Sequence, residues 1–161
     1  MAKVLFLHGF EARPGGPKPT YLAQHGLEVI EPPLPAHDWQ RAVAIAQEAL
    51  DRHRPDVVAG SSRGAAVALA LELGAVPLVL IAPAWRHFGG PCRAAPATIV
   101  LHSPHDELVA LDDSRELLSA SGLAPDRLIA VGADHRMNDA AALEALLDAV
   151  RRALEGALDA G

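Results

Sequence analysis

The chain has 161 residues, of which 50% are hydrophobic, 21% charged and 4% aromatic; that balance fits one globular domain with an aliphatic core and excludes a disordered chain. A formal net charge of -6, with none of the 14 Lys and Arg gathered in a run, excludes a nucleic-acid binder, because neutralising phosphates takes clustered cations. Cys92 is the only cysteine, which excludes an intramolecular disulfide, and the longest apolar run, Val76 to Trp85, is far short of the ~20 residues that cross a bilayer.

The apolar opening stops at His8, too short for a signal-peptide core, so a cytoplasmic protein without membrane contact is expected. Val4 to Leu7 reads as the first strand, followed by a helix from Pro19 to His25 that Gly26 ends, and a strand from Glu28 to Ile30. Asp38 suits the N-cap of a second helix, with Trp39, Val43, Ala46 and Leu50 on one face and Pro55 closing the segment. Val57 to Gly60 is the third strand, and Arg63 to Leu73, apolar nearly all round, is a buried helix that stops at Gly74. Strands at Leu78 to Ile81 and Thr98 to His102 precede a helix that Asp112 or Asp113 starts and that stops before Gly122. A last strand, Leu128 to Val131, leads to a helix from Asn138 to Leu158 with Leu143, Leu146, Leu147, Val150 and Leu154 facing inward.

Short Val/Ile/Leu strands alternating with helices predict a three-layer α/β/α sandwich with a mostly parallel six-stranded sheet, in a single domain over residues 1–161. Gly9 to Lys18 and Pro83 to Pro96 are long Gly/Pro-rich loops that follow strands, and open parallel sheets bind ligands beyond the carboxyl ends of their strands. Gly9 to Lys18 is not a phosphate loop, because it lacks the Gly-Lys-Ser/Thr ending.

Gly60-Ser61-Ser62-Arg63-Gly64 lies between a strand and a helix, where a tight turn lifts the Ser62 hydroxyl and glycines admit the crowded backbones. A serine hydroxyl needs a base to take its proton, and the base needs an orienting acid. Both should emerge after later strands, in the order acid then histidine. Asp106, four residues beyond the strand that ends at His102, and His135, in Gly132-Ala133-Asp134-His135, meet that requirement. Asp112, Asp113 and Asp134 remain alternative acids. His102, His105 and Asp106 do not read as a metal site, since Pro104 bars a common helical face. The amides of Arg63, directly after the nucleophile, and of Phe10, in His8-Gly9-Phe10, are the expected oxyanion donors, with Gly9 permitting the turn that aims the Phe10 amide inward. His8 is expected to brace that loop.

Together, Leu5-Phe6-Leu7-His8-Gly9-Phe10, the Ser62 pentapeptide, Asp106 with Val109, and Gly132-Ala133-Asp134-His135 make the whole chain resemble a small α/β-hydrolase, similar to compact bacterial esterases without a lid domain. The resemblance implies a serine hydrolase acting on carboxylic esters or thioesters through an acyl-enzyme, with no metal or organic cofactor. Larger relatives begin with extra antiparallel strands and insert a lid; here only Pro83 to Pro96 could serve, so a shallow, open pocket for a small-molecule ester is expected. Phe10, Trp85, Arg86 and Phe88 are candidates to line it, and an Arg63 guanidinium at its rim would favour an anionic acyl or leaving group. A non-catalytic binding protein with a vestigial triad, or an acyltransferase using the same residues, are the alternatives. Oligomeric state is not legible in the sequence.

Overall fold

The computed structural model describes residues 1–156. Its centre is a six-stranded sheet of β1 (Lys3–Leu7), β2 (Glu28–Ile30), β3 (Val57–Ser61), β4 (Leu78–Ile81), β5 (Thr98–His102) and β6 (Leu128–Ala130), in the order β2-β1-β3-β4-β5-β6. Every pairing is parallel, with Leu7 opposite Gly60 and Ser61 opposite Ile81. The strands are continuous apolar runs because both faces are covered. Val4, Phe6, Val57, Ala59, Val79 and Ile81 pack beneath α1 (Pro17–Gln24) and α5 (Ala140–Leu154). Leu5, Leu7, Val58, Leu78 and Leu80 pack against α2 (Trp39–His53), α3 (Arg63–Leu69) and α4 (Leu111–Ala120).

The chain enters at β1, runs outward to β2, then crosses back to β3 and continues to β6. The reversal between β1 and β3 is the crevice where ligands sit in open α/β sheets. It is the place where the loop after β1 and the turn after β3 meet.

Several helices differ from the expected limits. Asp38 does cap α2, its carboxylate accepting from the Arg41 amide at 3.0 Å. α3 stops at Leu69 rather than Leu73, because Gln47 of α2 receives the Glu72 amide at 2.9 Å and donates to the Glu72 carbonyl at 3.2 Å, drawing the chain out of the helix. Asp112 and Asp113 lie in the first turn of α4, where they complement the helix dipole, while Ala110 holds the cap position. α5 starts one residue after Asp139, whose side chain accepts from Ala142, and it is helical to Leu154; the expected end at Leu158 lies outside the described residues. Leu146, Leu147 and Val150 are buried on its inner face with Ala142, Ala149 and Ala153, whereas Leu143 and Leu154 are half-buried. Among the described residues no helix is long and apolar enough to cross a membrane.

Candidate active site

Ser62 joins β3 directly to α3 and holds φ 56° and ψ -114°, a conformation that L-residues avoid at a cost of roughly 1–3 kcal/mol. The surroundings over-determine it: its amide donates to the Ile81 carbonyl at 2.8 Å, and its own carbonyl accepts from Ala65, Ala66 and Ala84. The flanking glycines have steric reasons. A Cβ on Gly64 would stand 2.0 Å from the Leu7 carbonyl oxygen and 2.6 Å from that of His8; one on Gly60 would stand 2.6 Å from the Gly64 oxygen. These obstacles are backbone and cannot rotate away. Gly64→Ala is therefore expected to destabilise the fold by about 3 kcal/mol or more, a fall in Tm of roughly 6–12 °C for a domain of this size, or a loss of soluble protein. A melting curve that stays within about 2 °C of the parent would contradict the close approach of α3 to β1.

The turn presents Ser62 Oγ to His135, whose Nε2 lies 3.0 Å away. His135 Nδ1 lies 2.7 Å from Asp106 Oδ2. An ionised Asp106 can only accept, so Nδ1 carries the proton and the Nε2 lone pair faces the Ser62 hydroxyl. The Asp106 side chain is buried in the segment after β5, its other oxygen receiving the amides of Leu108 and Val109 at 2.8 Å each. Burial, the largest influence, pushes its carboxyl up, but the Val109 amide, the His135 bond and the Leu108 amide together hold it below the ordinary carboxylate range. The other candidate acids are engaged elsewhere: Asp112 with Arg115, Asp113 with Arg86, and Asp134 with the amides of Arg136 and Met137.

Asp106 has a further partner. Oδ2 also lies 3.1 Å from Nε2 of the fully buried His102, which is 3.0 Å from the Val109 carbonyl. Both neighbours are acceptors, so Nε2 bears the hydrogen and Nδ1 accepts from Ser114 Oγ at 2.6 Å. Burial, ahead of every other influence, lowers the His102 pKa, consistent with this neutral tautomer.

The amides of Phe10 and Arg63 make no hydrogen bond to an acceptor of the described residues. His8 braces the loop that carries Phe10, its Nε2 accepting from the Leu34 amide and its Nδ1 donating to the Gly9 carbonyl, both at 2.9 Å. The reason for Gly9 differs from the one expected. A Cβ there would meet Ser61 O at 3.5 Å and Ser62 Cβ at 3.6 Å, ordinary contact distances, so the turn itself tolerates a side chain and glycine instead leaves space beside the serine.

No protein-family model matches the sequence, and neither does any curated protein. Solved structures do match. A proposed hydrolase of the α/β superfamily from Xanthomonas campestris pv. campestris is 25% identical, with a TM-score of 0.67 over 99% of this chain and 98% of that one. The chain belongs to the α/β-hydrolase superfamily. Two further structures have a similar fold: the ydeN gene product of B. subtilis, 14% identical with a TM-score of 0.71 over 96% of this chain and all of that one, and Est1E from Butyrivibrio proteoclasticus with ferulic acid bound, 12% identical with a TM-score of 0.74 over 96% and 90%.

In this α/β-hydrolase a cleft of about 830 Å³ opens over Ser62 and His135. Phe10 and Phe88 form one wall, their rings 5.7 Å apart, and Leu108, one of the few exposed large apolar side chains among the described residues, also lines the cleft. Trp85 and Arg86 do not line the cleft: Trp85 is buried in the core beside α4 and donates to the Asp113 carbonyl at 3.0 Å, and Arg86 pairs with the side chains of Asp113 and Glu116 on α4. The Arg63 guanidinium is not at the rim either. Its residue is 2% exposed, it sits 5.8 Å from the ring centres of both Trp39 and Phe88, and it donates to the Pro35 carbonyl at 2.9 Å. The side chain is drawn inward because two aromatic faces and a carbonyl satisfy the cation there. Pro83 to Pro96 folds onto the body, with the Ala94 amide donating to Ser121 Oγ at 2.8 Å, and forms no lid. Among the residues at the site that the sequence did not mark are His102, which only its four-residue spacing from Asp106 could have suggested, and Lys18, Leu108 and Arg136, whose places on the cleft wall depend on tertiary folding.

Proposed function

We propose that this chain is a serine hydrolase that cleaves small carboxylic esters or thioesters. The observation that carries the reading is the relay Ser62 Oγ to His135 Nε2 to Asp106 Oδ2, at 3.0 and 2.7 Å, with the Phe10 and Arg63 amides left for an oxyanion. Resemblance to a hydrolase over nearly the whole of both chains, and to a structure with ferulic acid in place, adds support.

In the proposed reaction Ser62 Oγ attacks the ester carbonyl as His135 Nε2 takes its proton, and Asp106 stabilises the imidazolium. The carbonyl oxygen becomes an oxyanion held by the two amides, each donor contributing about 10²–10³ in rate. Collapse breaks the bond to the alcohol or thiol, which leaves with the proton from His135. Water, deprotonated by the same imidazole, then splits the acyl-Ser62 bond and releases the acid. An unlidded cleft walled by Phe10, Phe88 and Leu108 suits a short or flat acyl group.

A fluorophosphonate probe tests this directly. One label per chain is expected, located by peptide mass spectrometry on Ser62, with hydrolysis of 4-nitrophenyl acetate lost in step with labelling. Labelling at another residue, or hydrolysis that survives full labelling, would overturn the nucleophile assignment. Cys92 should not compete: it is half-buried, and burial pushes its thiol pKa up.

A further inference from the structure

Lys18 stands at the start of α1, is only 9% exposed, and lines the same cleft as Ser62 and His135. It donates to the Arg136 carbonyl and to Asn138 Oδ1 at 2.9 Å, two neutral acceptors, which leaves one N–H. No carboxylate lies within ion-pair distance of it among the described residues. Asp134 is sensed from farther off, and its Oδ1 is already shared by the Arg136 and Met137 amides at 3.1 and 3.3 Å. A desolvated ammonium without a paired carboxylate is an unusual group to keep in a protein interior. Burial lowers its pKa to about 8, so near neutral pH it remains mainly charged.

The rest of the cleft wall points the same way. The chain has 20 Asp and Glu against 14 Lys and Arg, yet outside His135 the charged groups on the cleft are Lys18, Arg136 and one carboxylate, Glu11, with His87 beside them. The exposed Arg136 guanidinium has no partner among the described residues.

We propose that the preferred substrates are esters that also carry a carboxylate, and that Lys18, the buried ammonium on the cleft wall, binds that carboxylate. This rests on the serine-hydrolase reading of the same cleft. It transfers to Lys18 the anion selectivity that the sequence suggested for Arg63. The carboxylate would accept the remaining N–H in a charge-assisted bond, with Arg136 free to approach from the solvent side. The competing role for Lys18 is mechanical: its bonds to residues 136 and 138 tie down the segment that carries His135.

Two ester pairs separate these roles. Monoethyl glutarate against diethyl glutarate places the charge on the acyl side, and 4-acetoxybenzoate against methyl 4-acetoxybenzoate places it on the alcohol side. For at least one pair, Lys18→Met should lower the ratio of charged to neutral kcat/KM by about tenfold or more, chiefly through KM. In the parent enzyme the same ratio should fall as pH rises from 7 to 9, as Lys18 loses its proton, and it should not fall in Lys18→Met. Arg136, Glu11, Asp134, His87 and His135 are common to both proteins, so the difference between the two profiles belongs to Lys18. Equal losses on both members of each pair, or a ratio independent of pH in the parent, would overturn the carboxylate site and leave the mechanical role.

If none of the four esters is hydrolysed in a Ser62-dependent way, the hydrolase reading fails, and calorimetric titration of glutarate and 4-hydroxybenzoate then decides the anion site. Binding weakened about tenfold or more in Lys18→Met upholds it, and equal or absent binding rejects it.

Discussion

Ser62→Ala should lower kcat toward small esters by about 10⁶-fold, because nucleophile, base and acid act as a unit and losing the nucleophile disables the others. A residual acceleration of about 10³–10⁴ over the uncatalysed reaction should remain from the Phe10 and Arg63 amides and from binding. The fold should be indifferent. Among the described residues the one side-chain hydrogen bond of Ser62 Oγ is to His135, and the backbone that imposes φ 56° is held by Ile81, Ala65, Ala66 and Ala84 whichever residue stands there. The expected pairing is thus near-total loss of turnover with a melting curve close to the parent's. Retention of more than about 1% of the parental kcat would remove Ser62 from the mechanism.

Asp106→Asn should cost about 10⁴ in kcat, and here stability should fall as well. Asn can keep its carbonyl oxygen on the Leu108 and Val109 amides, which turns its NH₂ toward the two histidines. His135 then accepts at Nδ1 and carries its proton on Nε2, pointing it at the Ser62 hydroxyl that it should deprotonate. The same NH₂ opposes the Nε2 hydrogen of His102, which cannot change tautomer without leaving the Val109 carbonyl at 3.0 Å facing a lone pair. A buried polar group without its partner costs about 1–3 kcal/mol, or roughly 2–12 °C in Tm at this size. The acid limb should change in a defined direction. Because the folded-state pKa of Asp106 is depressed, its contribution is fully present above the unfolded carboxylate range and is lost as pH falls through the lower folded value. Asn abolishes that part of the dependence, so Tm plotted against pH should be flatter on the acid side. A variant with parental kcat would return Asp112, Asp113 or Asp134 to consideration as the acid.

The sheet was legible because a parallel strand buried on both faces is a run of Val, Ile and Leu whatever surrounds it, as at Leu78–Ile81 and Thr98–His102. Helix ends were less so, since they are decided by tertiary partners. Nothing local in Leu69 to Gly74 announces that Gln47, on another helix, will take the Glu72 amide. At the site, Ser62, Asp106 and His135 could be read from the chemistry each needs and from its place after a strand. Arg63, Trp85 and Lys18 could not, because which way a long side chain turns depends on what it finds: Trp39, Phe88 and Pro35 draw Arg63 inward, while residues 136 and 138 fix Lys18 on the cleft wall.

The register of β1 against β3 carries a consequence for how this enzyme should fail. Leu7 is opposite Gly60, and Gly64 closes on the Leu7 carbonyl, so the segments that supply the Phe10 and Arg63 amides are indexed to one rung of the sheet. That rung lies in the interior of the sheet, flanked by β2 and β4, and interior strands belong to the part of a protein that opens only with global unfolding. The proposed oxyanion pocket is therefore expected to be a cooperative property of the whole domain, ready before substrate arrives, with no softened state in which the body is intact and the pocket is slack.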